Sequence, residues 1–164
     1  MLLACAQVLP ESEFVVLDQS EAMLIQAQRN WARKAAGQRV TFQHADLRTW
    51  QGPDGGFDLV VTNFFLDCFT PEELRSVVAN LGAAASHNAR WLLADFVVPS
   101  AGWRRWRARM VLALAYGFFR FTTGITARRI ADPVNDLTAA GFALQHRERF
   151  NQGLLQADLW RRAV

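Results

Sequence analysis

A chain of 164 residues with 51% hydrophobic and 20% charged residues has the composition of one folded domain, and this excludes intrinsic disorder. Its formal charge of +3 is too mild a basic excess to indicate nucleic-acid binding without a matching motif. The cysteines, Cys5 and Cys68, have neither CxxC spacing nor nearby histidine pairs. That argues against a disulfide scaffold or a zinc centre and for a reducing, cytoplasmic setting.

Met1 to Leu9 is apolar and almost unbranched, which predicts the tail of a helix. No basic segment precedes it, so it does not read as a signal peptide. Phe14 to Leu17 is a short buried strand ending at Asp18, and Ser20 is a good N-cap for a helix running to about Ala36, with Gly37 as its stop. Val40 to His44 is the next strand, ending at Asp46. After the turn from Gly52 to Gly56, Phe57 to Thr62 reads as a central strand. Thr70-Pro71-Glu72-Glu73 combines an N-cap, a proline at N1 and a glutamate at N3, which predicts a helix with a capping box through about Ala85. Arg90 to Val98 is another strand, closed by Pro99. A helical region is expected from about Trp103 to Phe119, and a short helix from Asp132-Pro133 to Gly141. Met110 to Phe119, an uncharged run, is about half of what a membrane crossing needs. The chain finishes with strands over Phe142 to Phe150 and Leu154 to Trp160. The three residues between them permit only an antiparallel hairpin.

Strand–helix alternation followed by a hairpin predicts an α/β fold with a doubly wound, mostly parallel sheet and one reversed strand. Ligands of such sheets sit beyond the carboxyl ends of the strands. Asp18, at one such end, offers two acceptor oxygens that match the vicinal hydroxyls of a ribose; it can equally help cap the following helix. Asp46 can accept from an exocyclic amine, with Leu47 as an apolar edge and Met23 covering the other side of a purine. The plainer readings are a turn aspartate for Asp46 and a core methionine for Met23. Asn63 can donate to a carboxylate and accept from an ammonium, or can simply form a turn. Phe64 and Phe65 can wall a pocket or fill a core. Asp67 either faces an acceptor or is an exposed loop acid.

Val15-Val16-Leu17-Asp18-Gln19-Ser20-Glu21-Ala22-Met23-Leu24 resembles the second-strand motif of class I S-adenosylmethionine-dependent methyltransferases. Phe42 to Leu47 resembles the third-strand motif, Phe57 to Leu66 the fourth, and Trp91 to Phe96 the fifth; the hairpin matches strands six and seven. The resemblance covers essentially the whole chain and rests on the order and spacing of motifs that are weak singly. It implies a Rossmann-like methyltransferase fold with S-adenosylmethionine as cofactor. By that resemblance Asp18, with Gln19 beside it and Met23 one turn on, would hold the ribose side. Asp46 and Leu47 would hold the adenine, and Asn63 would lie near the methionyl end.

The family's first strand ends in a glycine loop. In a Rossmann-type site the acid lies about 20 residues beyond that loop, and counting back from Asp18 lands before Met1. Gly52, Gly55 and Gly56 offer no substitute, because no helix N-terminus follows them. The resemblance thus implies an N-terminally truncated domain, 1–164, in which either Met1 is an internal methionine of the first helix or the protein is genuinely shortened. The missing strand would be central, between those ending at Asp18 and Val61. Each orphan backbone group on its open edges costs roughly 1–3 kcal/mol, against a stability of roughly 5–15 kcal/mol. Weak folding and weak cofactor binding are expected of residues 1–164 alone.

In this family the element between the fifth and sixth strands selects the substrate, here 99–131. Trp103, Trp106, Met110 and Tyr116 alternate there with Arg104, Arg105, Arg107 and Arg109. Such a helix can line a pocket for a lipophilic small-molecule acceptor or touch a membrane surface, or it can be an ordinary core face with a solvated arginine face. Phe64, Phe65, Asp67, Trp103 and Trp106 are therefore the candidate substrate residues. No catalytic base is assigned, since in-line methyl transfer draws largely on positioning, and no metal or nucleic acid is expected. Two other functions share these features. One is a degenerate, non-catalytic interaction or membrane-surface module; the other is a nicotinamide dehydrogenase, against which Asp46-Leu47 and the hairpin weigh. The oligomeric state is not legible.

Overall fold

A computed structural model of the chain describes residues 1–34, 39–97 and 132–163. These form two compact units, Met1–Gln51 and Gly52–Val164. The first contains helix α1 (Leu2–Val8), strand β1 (Phe14–Asp18), helix α2 (Glu21–Lys34) and strand β2 (Val40–His44). The strands pair in parallel, with Asp18 opposite His44, and Ala45 N–H donates to Asp18 O at 3.1 Å. Ser20 caps α2 as expected: its hydroxyl accepts from Met23 N–H at 3.4 Å and its carbonyl from Leu24 N–H at 3.1 Å. The amphipathic α2 buries Leu24 and Trp31, and the Trp31 ring lies 6.2 Å from that of Phe14. This contact fastens the crossover helix to its strand.

The second unit is a four-stranded mixed sheet built from β3 (Phe57–Asn63), β4 (Ala85–Phe96), β5 (Phe142–Phe150) and β6 (Leu155–Arg162), in the order β3-β4-β6-β5. The β3–β4 pair is parallel, and β5 and β6 form the antiparallel hairpin. Helix α3 (Pro71–Ala84) connects β3 to β4, and the short helix α4 (Val134–Ala139) precedes β5. The capping box is complete: Thr70 Oγ1 accepts from Glu73 N–H at 3.3 Å, and Glu73 Oε2 accepts from Thr70 N–H at 3.0 Å. Arg162 closes the other end of α3 by donating from Nη1 to the carbonyls of Gly82 and Ala85 at 2.8 and 2.6 Å. A cation there suits the negative end of the helix dipole.

Trp91, Trp160, Phe142, Leu66, Leu74, Val77, Val78 and Leu137 are the fully buried centre of this unit. Trp91 meets Phe142 edge to face at 5.4 Å, and its Nε1 donates to Thr62 Oγ1 at 2.9 Å, which satisfies the one polar atom its burial would otherwise orphan. Gly82 allows α3 and α4 to approach, since a Cβ there would lie 3.2 Å from that of Ala140.

Among the described residues, element positions follow the sequence expectations with one displacement. The strand expected from Arg90 begins at Ala85, directly after α3. Ser86, His87 and Asn88 carry no strand-forming signal. They are carried into β4 because Ala85 pairs with Phe57 across an irregular register and Ser86 Oγ donates to Asp58 Oδ1 at 2.8 Å. The helical region expected over 103–119, with Trp103 and Trp106, lies outside the described residues, as does the stop at Gly37. Among the described residues no helix is long and apolar enough to cross a membrane.

Candidate functional site

The parallel pairing of β1 and β2 brings their carboxyl ends side by side, and Asp18 and Asp46 lie at those ends. The half-buried Asp18 accepts from Ser20 N–H through Oδ1 at 2.8 Å. Among the described residues this is its only side-chain hydrogen bond, so the helix-entry role is real but leaves Oδ2 uncommitted. Gln19 is exposed, and its carbonyl accepts from His44 Nε2 at 2.8 Å, tying the two strand ends together. Leu47 is buried at 7% exposure, whereas Met23 is 52% exposed and does not belong to the core. A methionine that far out of the core costs nothing to packing and is available to cover a ring.

Asp46 carries a partner that the sequence did not announce. Arg48 donates from Nε to both carboxylate oxygens at 2.9 and 3.1 Å and from Nη2 to Oδ2 at 2.7 Å. Its backbone N–H adds a bond to Oδ1 at 3.0 Å. These hydrogen bonds from Arg48 hold the Asp46 carboxyl below the usual range, so Asp46 is an ionised acceptor at neutral pH. The signal was present only as a spacing of two residues, within reach of a turn but not diagnostic of one.

In the second unit the carboxyl ends of β3 and β4 meet in register, with Asn63 opposite Ala94. The half-buried Asn63 makes no side-chain hydrogen bond among the described residues. Phe64 follows with φ of 51°, a left-handed conformation that costs a bulky L-residue about 1–2 kcal/mol. Two bonds hold it there. Phe64 N–H donates to Ala94 O at 2.7 Å, and Phe65 N–H donates to Asp95 Oδ1 at 3.1 Å. The turn directs the Phe64 ring outward, 43% exposed, against the ring of Phe96 at 4.8 Å. Phe65 is half-buried and packs edge-on to Phe69 at 5.0 Å.

Asp67 corrects one expectation. It is no exposed loop acid but is 4% exposed, because the short 3-10 turn Leu66–Cys68 that carries it packs against β4. Cys68 Sγ donates to Asp67 Oδ1 at 3.6 Å, and burial, with Asp67 beside it, pushes the Cys68 thiol up to about 12. Asp95, read in the sequence only as part of a strand, is 8% exposed. Burial, and then the neighbouring charge of Asp67, push its carboxyl up to about 8, against the opposing pull of the amides of Phe65, Phe64 and Leu66. Sequence reasoning missed it because alternation along β4 was the sole cue, and an acid on the buried face of a strand shows its role only once its partners are known.

Residues 1–88, just over half of the chain, match the family model described as a methyltransferase domain. The chain belongs to that family. Its fold is the Rossmann-like α/β fold of the class I methyltransferases, shared across nearly its whole length with solved structures. One is LaPhzM, with 22% identity and a TM-score of 0.70 over 99% of this chain and 46% of that one. Another is magnesium protoporphyrin IX methyltransferase from Synechocystis PCC 6803 with bound SAH, with 22% identity and a TM-score of 0.68 over 98% of this chain and 68% of that one. A third is a possible exported protein from Bordetella parapertussis, with 17% identity and a TM-score of 0.66 over 93% of this chain and 54% of that one. The chain spans about half the length of the first and third of these. No curated protein matches it.

Proposed function

We propose that the protein transfers a methyl group from S-adenosylmethionine to a small, hydrophobic acceptor. The observation that carries this reading is the pair of acids, Asp18 and Asp46, on adjacent carboxyl ends of a parallel strand pair. The residues fit the cofactor. Asp18 has a free oxygen beside its capping oxygen, as a ribose diol requires. Asp46 is ionised and can share an oxygen with an amine donor. Leu47 supplies a buried apolar edge and the exposed Met23 a mobile cover. In the second unit the uncommitted amide of Asn63 suits the zwitterionic amino-acid tail. When bound, the cofactor supplies an electrophilic methyl group on a sulfonium. The chain's own part is to orient the donor, exclude water and hold the acceptor in line.

The acceptor side of the reading rests on Phe64 and Phe65, one exposed and one half-buried. Asp67, a buried acid, is proposed to stand near the acceptor, and Trp103 and Trp106 are proposed to complete an apolar wall. A similar solved structure is that of magnesium protoporphyrin IX methyltransferase, which is in keeping with a small-molecule acceptor. Residues 1–164 are proposed to belong to one methyltransferase domain, with 99–131 as its substrate-side element.

Isothermal calorimetry with S-adenosylhomocysteine tests the cofactor half. Asp18→Asn and Asp46→Asn are each expected to weaken binding about tenfold or more, the loss of one charge-assisted hydrogen bond. Binding unchanged in both variants, or stabilisation of the parent by NAD in place of S-adenosylhomocysteine, would sink the reading.

A further inference from the structure

Asp95 carries no role in the site as read above, yet the turn that displays Phe64 is built on it. A phenylalanine at φ of 51° does not hold that conformation for its own sake; neighbouring bonds must over-determine it. Ala94 O takes one amide of the turn and the Asp95 carboxyl group takes the next. The Phe64 ring then closes on Phe96, the residue after Asp95. One dipeptide of β4, together with its neighbour, therefore grips the end of β3 at three points.

We infer that Asp95 is a positioning residue for the acceptor wall: its buried carboxyl group fixes the left-handed turn that sets Asn63 and Phe64 in place. This rests on the methyltransferase reading for what the wall does, but not for the grip itself. A hydroxyl or amide in the same place would accept one bond without adding charge. A carboxyl group adds a dependence on its proton, because charge on Asp95 strengthens its hold on the amides and also sets it against Asp67. The groups around it are few. Asp67 and Cys68 face it from the 3-10 turn, with raised values for both the thiol and Asp95 itself. From β6, Gln156 stands opposite it in register. The Gln156 amide is spent on Asp158 at 3.1 Å and on Arg149 at 3.2 Å, while Asp158 is neutralised by Arg147 at 2.7 Å. Among the described residues, no cation contacts Asp95 itself.

The test is nitrogen–proton correlation NMR of the intact chain between pH 6 and 10. The amides of Phe64, Phe65 and Leu66 should shift together with a midpoint near 8, and the ring signals of Phe64 and Phe96 should follow. Asp95→Asn, which keeps the carbonyl acceptor, should preserve the Phe64–Phe96 ring contact and abolish the titration. Asp95→Ala should lose the contact and speed hydrogen exchange at Phe65 at least about tenfold. Should the alanine chain fail to fold, the asparagine variant and the pH series still decide. Amides that do not titrate, or that titrate alike in Asp95→Asn, overturn the assignment. Absence of S-adenosylhomocysteine binding defeats the proposed function alone and leaves this titration as an independent result.

Discussion

Replacing Asp95 by asparagine should make the protein more stable, and increasingly so as the pH rises toward 8. The carboxyl group has an ordinary value near 3.8 in the unfolded chain and about 8 in the folded one. Between these limits the folded state binds a proton that the unfolded state has released, so stability falls with rising pH. Below 3.8 the contribution of Asp95 is fully present; by pH 8 it has been lost. The slope is about 1.4 kcal/mol per pH unit, so the parent forfeits at most about 6 kcal/mol across this window, a large fraction of a typical domain's stability. Asparagine stays neutral, accepts from Phe65 N–H with its carbonyl, and can donate its amide toward Asp67. Urea unfolding of both chains at pH 5, 6, 7, 8 and 9, followed by circular dichroism, gives the difference directly. It should grow with a slope of up to about 1.4 kcal/mol per pH unit to pH 8 and then level off. A difference independent of pH would refute the burial argument, and a variant less stable at pH 8 would show that the charged form is the one the turn requires.

Thr70→Ala should destabilise the chain by about 1 kcal/mol through loss of the N-cap bond to Glu73, read as a lower urea midpoint. Among the described residues, Arg147→Ala leaves Asp158, whose side chain is 1% exposed, with only Gln156 as a partner. A loss of about 3 kcal/mol is expected, the lower end for a broken buried pair, while a surface-like loss below about 1 kcal/mol would show that solvent reaches the carboxylate. Thr62→Val removes the acceptor for Trp91 Nε1 at nearly constant volume. It should cost about 1–3 kcal/mol and shift the emission of the buried indole.

Local chemistry accounts for the parts of this protein that were legible as sequence. The capping box at Thr70 and Glu73, the Ser20 cap, the short hairpin connection and the apolar runs of β1 to β3 all act over a few bonds, and each stands where its spacing placed it. Asp18 and Asp46 were legible as strand ends because parallel α/β order sends successive carboxyl ends to one edge. The early start of β4 was not, since Ser86 to Asn88 join it through pairing with a strand some thirty residues away. Arg48 was hidden for a related reason: its grip on Asp46 depends on how the chain turns after β2.

The sequence by itself determined the elements, their order and the two acids at adjacent strand ends, because periodicity and capping are encoded in neighbouring residues. Only the tertiary structure decided the fate of Asp67 and Asp95. Burial and like charge are properties of what packs around a carboxyl group, and the partners in question, Phe65 with its amide and a second acid two residues beyond it, reach Asp95 across some thirty positions of chain.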